Sequence, residues 1–262
     1  MARETYAVLS DEHAFDSNTI IKNLMLEAFG LSDAGCVRTN NEDYFISDTK
    51  SGIFILADGM GGANAGEYAS RLSAEKVYEM LLNSRENRDP DILEQTFLEA
   101  NRSVRDAARA NPELDGMGTT LLAVRAVNNG AVQVASVGDS RAYLCSNREL
   151  SLITHDQTWI NEVGSRLGLT DEALRKHPMR HVLTMAVGTM DDLRVNTEVL
   201  HLKSGDQILL CSDGLHGVLE EKILHDTLDS EKSLPDKCHY LVDAARQRGG
   251  PDNITVVLIQ LT

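Results

Sequence analysis

From Met25 onward the sequence is punctuated by short apolar runs, rich in β-branched residues and bounded by Gly, Asn or Asp. This spacing restricts the fold more than any other feature. Ile53–Ala57, Leu121–Val127, Ala131–Val137, Val195–Leu202, Gln207–Cys211 and Thr255–Leu261 have the length and composition of strands. Asn129-Gly130 between two of them predicts a type I′ hairpin, whose central residues both need positive φ. Ser146-Asn147 and Ser204-Gly205-Asp206 predict further tight turns. Successive hairpins join antiparallel neighbours, whereas parallel strands require long crossovers.

Helical periods interrupt the strands. Gly66 to about Asn83 places Ala69, Leu72, Lys76 and Met80 on one stripe, with the lysine as a defect in it. A second helix has Asp89 as N-cap and Pro90 in its first position, then Leu93, Phe97, Ala100, Val104 and Ala107 on one face, and ends by Pro112. A third runs from about Pro235 to Arg248 with Cys238, Leu241 and Ala245 inward. The expected class is α+β, an antiparallel sheet with helices packed outside. Residues 24–262 read as one domain, with a polar insertion at about 155–182 lying over its surface. Residues 1–23 read as an extension ahead of it, with a short helix from Ser17.

Charge and cysteine usage narrow the function classes. The chain of 262 residues has 25 Lys+Arg against 40 Asp+Glu, a formal balance of −15. Such a surface repels phosphate backbones and anionic lipid, which argues against a nucleic-acid or membrane-surface binder. Cys36, Cys145, Cys211 and Cys238 form no CxxC pair, and each lies in or beside an apolar stretch. Two disulfides are arithmetically available, but a chain this long can stabilise itself without them, so reduced, buried thiols are expected. No signal peptide is evident at Met1–Ser10, and no apolar run approaches the ~20 residues of a membrane span. A cytoplasmic protein is expected.

The chemistry-bearing pattern is aspartate in Gly-rich turns directly after apolar runs. Ile53–Ala57 delivers Asp58-Gly59, Gln207–Ser212 delivers Asp213-Gly214, Val134–Gly138 delivers Asp139, and Gly249-Gly250-Pro251 delivers Asp252-Asn253 before a strand. Ahead of them lies Arg38-Thr39-Asn40-Asn41-Glu42-Asp43. Singly, each has a plain explanation: an Asp-Gly hairpin, a cap, a solvated acidic pair, a surface cation. However, Gly59 leads into a helix and Gly214 into no strand, so the hairpin explanation fits neither.

Carboxylates gathered at one end of a sheet raise one another's pKa, and burial adds to that. They are relieved by protonation or by bound cations. Oxygen donors without clustered His or Cys select hard ions, Mg²⁺ or Mn²⁺. Two such ions about 3.5–4 Å apart are a device for phosphoryl hydrolysis. Hydrolysis of phosphate monoesters needs accelerations up to ~10²¹-fold, and metal ions lower the pKa of water to about 7 without a protein nucleophile. No GxSxG elbow, no GxxxxGK[ST] loop and no Ca²⁺-binding DxDxDG loop is present.

In this order, the segment Arg38–Asp43, Asp58-Gly59-Met60-Gly61-Gly62, Met117-Gly118-Thr119-Thr120, Gly138-Asp139-Ser140-Arg141, Ser212-Asp213-Gly214 and Asp252-Asn253-Ile254-Thr255 resemble the metal-dependent Ser/Thr protein phosphatases of the PPM family (PP2C type), compact bacterial form, from about Gly30 to Leu261. His177–Thr184 resembles the segment closing that family's flap, roughly Trp159 to Arg180. The resemblance implies a β-sandwich of two antiparallel sheets flanked by helices in four layers, αββα, with a Mn²⁺ or Mg²⁺ pair at one end. It implies that Asp58 bridges the ions, that the Gly59 carbonyl helps hold one, and that Asp213 and Asp252 hold the other. Glu42 and Asp43 act directly or through water, Asp139 holds a third, weaker ion, Arg38 grips the substrate phosphate, and Asn253 supports the ligands from behind. It implies hydrolysis of phosphoserine and phosphothreonine in proteins by activated water. The implied partners are phosphoproteins, including a Ser/Thr kinase and its substrates, and the enzyme is expected to be a monomer.

Two positions depart from the family pattern. Ala63 stands where bacterial members often carry a histidine that is a candidate proton donor, which leaves that role to water or to His155, His181 or His216. Gly217 stands where several relatives carry an acid or amide that assists the third ion. The alternative is a non-catalytic module of the same fold that binds a phosphoprotein.

Overall fold

The computed structural model describes residues 25–61, 65–84, 89, 91–127, 130–167, 173–174, 177–179 and 182–262. The expectations for residues 1–23 and for Ala63, Pro90, Asn129, Arg180 and His181 lie outside them.

Eleven strands are described: β1 (Leu26–Asp33), β2 (Asp43–Asp48), β3 (Ile53–Met60), β4 (Gly118–Thr119), β5 (Leu121–Ala126), β6 (Ala131–Val137), β7 (Arg141–Ser146), β8 (Glu149–Leu152), β9 (Asn196–His201), β10 (Gln207–Cys211) and β11 (Ile254–Leu261). They form two antiparallel sheets, one in the order β1-β11-β10-β7-β8 and the other β2-β3-β5-β6-β9, with β4 beside β3. Helices α1 (Ala65–Asn83) and α2 (Ile92–Ala110) cover the second sheet. Helix α6 (Leu234–Gln247) covers the first, after the short α3 (Trp159–Glu162), α4 (Asp213–His216) and α5 (Glu221–Leu228). The four-layer sandwich implied by the sequence is the one observed.

The uninterrupted apolar runs are the strands buried on both faces. In β3, Ile53, Ile55 and Ala57 join the helix-side cluster with Val77, Leu81, Leu93 and Phe97. Phe54 and Leu56 face the other way and pack between the sheets with Leu122, Ile208, Leu210, Val257 and Ile259. In β10 and β11 the same alternation sends Leu209, Val256 and Leu258 towards Cys238, Leu241 and Ala245 of α6. Period two still governs these strands, but both sides are core, so the sequence shows no polar alternation.

Several local expectations are corrected. The buried stripe of α1 is Ala69, Ser73, Val77 and Leu81, with Ser70 and Ala74, so Lys76 lies on the flank and is no defect. Helix α2 begins two residues later than expected, with Asp91 at the N-cap, while the Asp89 carboxylate accepts from the Asp91 N–H at 3.0 Å. The β7–β8 turn is centred on Asn147 (φ 51°) and Arg148 (φ 66°), one residue beyond the expected centre. Ser204-Gly205-Asp206 is a turn, yet it passes the chain from one sheet to the other because β9 and β10 do not pair. Cys145, Cys211 and Cys238 are buried free thiols, whereas Cys36 is a free thiol exposed in the loop after β1.

Candidate metal centre

Antiparallel pairing decides which loops meet. Asp43 opens β2 directly opposite Asp58 near the end of β3. The start of β5 pairs with the end of β6, which brings Asp139 to the same end of that sheet. In the other sheet the end of β10 lies beside the start of β11 and of β7, so Asp213 and Asp252 arrive together. Asp58 is not in a turn as expected: β3 continues through Asp58-Gly59 to Met60. Asp213 is the first residue of α4, with Ser212 at its N-cap.

Gly59 shows why its position requires glycine. A Cβ there would stand 2.2 Å from the Gly66 carbonyl oxygen and 2.7 Å from that of Glu42. The end of β3, the start of α1 and the Glu42 segment thus touch backbone to backbone, with the Gly59 N–H donating to the Glu42 carbonyl at 3.1 Å. Asn253 closes the other side. Its Oδ1 accepts from the Glu42 N–H at 2.8 Å, and its Nδ2 donates to the Ala34 and Asn40 carbonyls at 3.1 and 2.9 Å. The Arg38 guanidinium donates from Nη2 to Asp252 Oδ2 at 2.7 Å, and this partner raises its pKa.

The carboxylates are electrostatically crowded. Burial, then Asp43, Asp213, Asp139 and Asp252, push Asp58 well above the usual carboxylate range. Burial lifts Asp43 to about 7, opposed by hydroxyl donors from Thr255 and Ser212. Asp139 rises to about 7, mainly through burial with Asp213 and Asp156 adding, and Asp213 to about 6 through burial and Asp252. Loss of solvent also raises Glu42. Asp43 Oδ2 accepts from the Ser212 hydroxyl at 2.8 Å, but Oδ1 is buried with no hydrogen-bond partner.

Among the described residues no three His, Cys, Asp or Glu side chains are already placed to hold a metal ion. The carboxylates are instead spread along the ends of neighbouring strands. That suits Mg²⁺ or Mn²⁺, which are commonly bound through one or two carboxylates with water completing the shell. An orphaned, buried carboxylate oxygen amid mutually repelling acids is a further feature that suits a divalent cation. The donor set fits hard divalent ions.

Sequence reasoning missed the residues that hold this row in place. The Thr120 hydroxyl accepts from the Asp58 N–H at 2.9 Å, the Thr119 hydroxyl donates to the Asp58 carbonyl at 2.9 Å, and Thr120 also bonds the Ser140 hydroxyl at 2.8 Å. Their motif was visible, but nothing in it revealed which backbone it clamps. His216 Nε2 donates to the Asp139 carbonyl at 2.9 Å and so steadies that loop; His155 is exposed.

At the start of the stretch read as an insertion, Asp156, Gln157 and Thr158 are buried: Gln157 Oε1 accepts from the Gly138 N–H at 2.9 Å, and Asp156 pairs with Arg141 at 2.7 Å. Next to them, Trp159 stacks on His177 with centroids 4.2 Å apart.

Comparison with known proteins agrees with this geometry. The family model "Protein phosphatase 2C" matches residues 37–258. The serine/threonine phosphatase Stp of Listeria innocua is 34% identical over 238 residues, covering 87% of this chain and 93% of the relative. The crystal structure of the Mycobacterium tuberculosis serine/threonine phosphatase PstP/Ppp superposes with a TM-score of 0.80 at 32% identity, covering 90% of this chain and 98% of that one. The PstP catalytic domain in complex with two manganese ions gives 0.78 at 31% identity, covering 92% and 100%. A model spanning most of the chain, relatives matched along nearly their full length and a shared four-layer sandwich lead to one conclusion: the chain belongs to the protein phosphatase 2C family.

Proposed function

We propose that this chain is a Mn²⁺- or Mg²⁺-dependent phosphatase of phosphoserine and phosphothreonine in proteins, and that residues 24–262 are its catalytic domain. The observation that carries the assignment is the gathering of Asp43, Asp58, Asp139, Asp213 and Asp252 at one end of the sandwich, with Asp43 Oδ1 buried and unpartnered. Asp58, Asp213 and Asp252 hold the ion pair with the Gly59 carbonyl, Glu42 and Asp43 act directly or through water, and Asp139 serves a further ion. Two bound divalent ions supply Lewis acidity to the phosphoryl oxygens and acidify water.

The chain's own residues do the rest. Arg38, about half exposed and aligned by Asp252, offers a planar guanidinium fork to the phosphate. Asn253 keeps the Arg38–Glu42 loop in register with the Asp252 loop. Gly59 lets the backbone of β3 come close to the α1 terminus. The segment rooted at Gln157 is anchored to Gly138, next to Asp139, and so lies where it can influence the approach of a phosphoprotein. The retained carboxylate set and relatives named as phosphatases favour catalysis over a non-catalytic binding module. The opposing partner is a Ser/Thr kinase acting in the same compartment. Buried free thiols are in keeping with the cytoplasm, and no described helix is long and apolar enough to cross a membrane.

The test is release of phosphate from a phosphothreonine peptide with and without Mn²⁺. Chelation abolishes turnover, and Asp58→Asn and Asp213→Asn lose at least about 100-fold in kcat while remaining folded. Wild-type turnover in either variant would overturn the site assignment.

A further inference from the structure

A chain of buried polar side chains ends on Asp43. Asn41 Nδ2 donates to the Ser32 hydroxyl at 2.7 Å, and Ser32 and Thr255 share a 2.6 Å hydroxyl–hydroxyl bond. The Thr255 N–H donates to the Ser212 hydroxyl at 3.0 Å. Ser212 in turn donates to Asp43 Oδ2 at 2.8 Å. Asn41 closes the circuit, since its Oδ1 accepts from the Asp43 N–H at 3.1 Å. Ser32, Thr255 and Ser212 are all buried; Ser32 is in β1, Thr255 in β11 and Ser212 directly after β10, all on one sheet's side, whereas Asp43 opens β2 in the other sheet.

Ser32 accepts from Asn41 and shares its short bond with Thr255, in which either hydroxyl can be the donor. The Ser212 hydroxyl is the donor aimed at the Asp43 carboxylate. One carboxylate oxygen is occupied by Ser212, and the other, Oδ1, is buried and bare. Burying an ionised carboxylate in this way costs free energy, which a proton or a cation on the second oxygen relieves. A purely structural carboxylate would have had both oxygens satisfied.

We propose that Ser212 and Thr255, backed by Ser32 and Asn41, are positioning residues for the metal centre: they lock the Asp43 carboxylate across the sheet interface with Oδ1 presented to the bound ion or to its water. This rests on the phosphatase reading above and adds to it the residues that preorganise one ligand. Support of this kind from behind a ligand is typically worth 10–100-fold in metal affinity.

The experiment is Mn²⁺ titration calorimetry on the full chain, freed of metal by chelator and dialysis, together with melting curves without metal and aryl phosphate kinetics at saturating Mn²⁺. Thr255→Val keeps the shape and removes the hydroxyl, Thr255→Ser keeps the hydroxyl, and Ser212→Ala removes the direct donor. Thr255→Val and Ser212→Ala bind Mn²⁺ 10–100-fold more weakly, with KM for the aryl phosphate unchanged once metal saturates, while Thr255→Ser retains near wild-type affinity. Wild-type Mn²⁺ affinity in Thr255→Val, or equal weakening in Thr255→Ser, overturns the proposal and leaves the phosphatase reading standing. A wild-type protein that neither binds Mn²⁺ nor releases phosphate overturns both.

Discussion

Asn253→Ala tests how much of the site is held by one amide. The side chain is buried and makes three hydrogen bonds, accepting from the Glu42 N–H and donating to the Ala34 and Asn40 carbonyls. Truncation to alanine removes all three and leaves an N–H and two carbonyls without that partner. At about 1 kcal/mol net per bond, the expected loss is about 3 kcal/mol. In a chain of this size each kcal/mol moves the melting temperature by about 2–4 °C, so the shift is about 6–12 °C. The damage is also directional. The freed segment runs from Ala34 to Glu42 and carries Arg38, so the KM for an aryl phosphate rises more than kcat falls. Melting by circular dichroism with chelator and with Mn²⁺, alongside steady-state kinetics, measures both effects. A shift below about 2 °C with unchanged KM would refute the claim that this amide holds the loop.

Three further outcomes follow from the same geometry. Asp43 and Asp139 rise to about 7 and Asp213 to about 6 in the folded protein, from an ordinary value of 3.8. The folded state therefore retains protons that the unfolded chain releases, so stability with chelator present falls as pH rises from 3.8 through about 7, and Asp58, raised for the same reason, adds to the fall. Mn²⁺ flattens this dependence, and melting temperatures that climb through the window would contradict it. Gly214→Ala sets a Cβ 1.9 Å from the Asn253 carbonyl oxygen, so the Asp252 loop must move. The variant folds but loses at least about tenfold in kcat/KM, and a wild-type value would show the loop's position to be unimportant. Asp156→Ala strips a largely buried partner from Arg141, which retains the Tyr143 hydroxyl at 2.9 Å. Urea unfolding is expected to show a loss of about 3 kcal/mol, and a loss under about 1 kcal/mol would mean that the pair is solvated.

Legibility followed burial. Strands such as β3, β10 and β11, apolar on both faces, were plain as uninterrupted runs. By contrast β1, β2 and β8 lie at sheet edges and mix Glu, Asp or Ser with their apolar residues, and the partner of β1 is β11 at the far end of the chain. The stripe of α1 was misread because Ser70 and Ser73 are fully buried there, held close to the sheet by small side chains rather than by apolarity. At the site, Asp58, Asp139, Asp213 and Asp252 could be picked out because each follows or precedes an apolar run close to glycine. The partners of Ser212, Thr255, Thr119, Thr120 and Asn41 could not, because a lone hydroxyl or amide has no periodicity that reveals its partner.

The sequence alone therefore determined the strand-rich class, the acids that carry the chemistry and the family to which they point, because composition and short-range spacing are properties of contiguous residues. Only the tertiary structure decided that Asp58 lies within β3 opposite Asp43, that Asn253 ties down Glu42, and that one oxygen of Asp43 is bound while the other is bare. Those facts depend on register and on cross-sheet packing between residues as distant as Asp43 and Ser212, and no local pattern in a chain encodes such a distance.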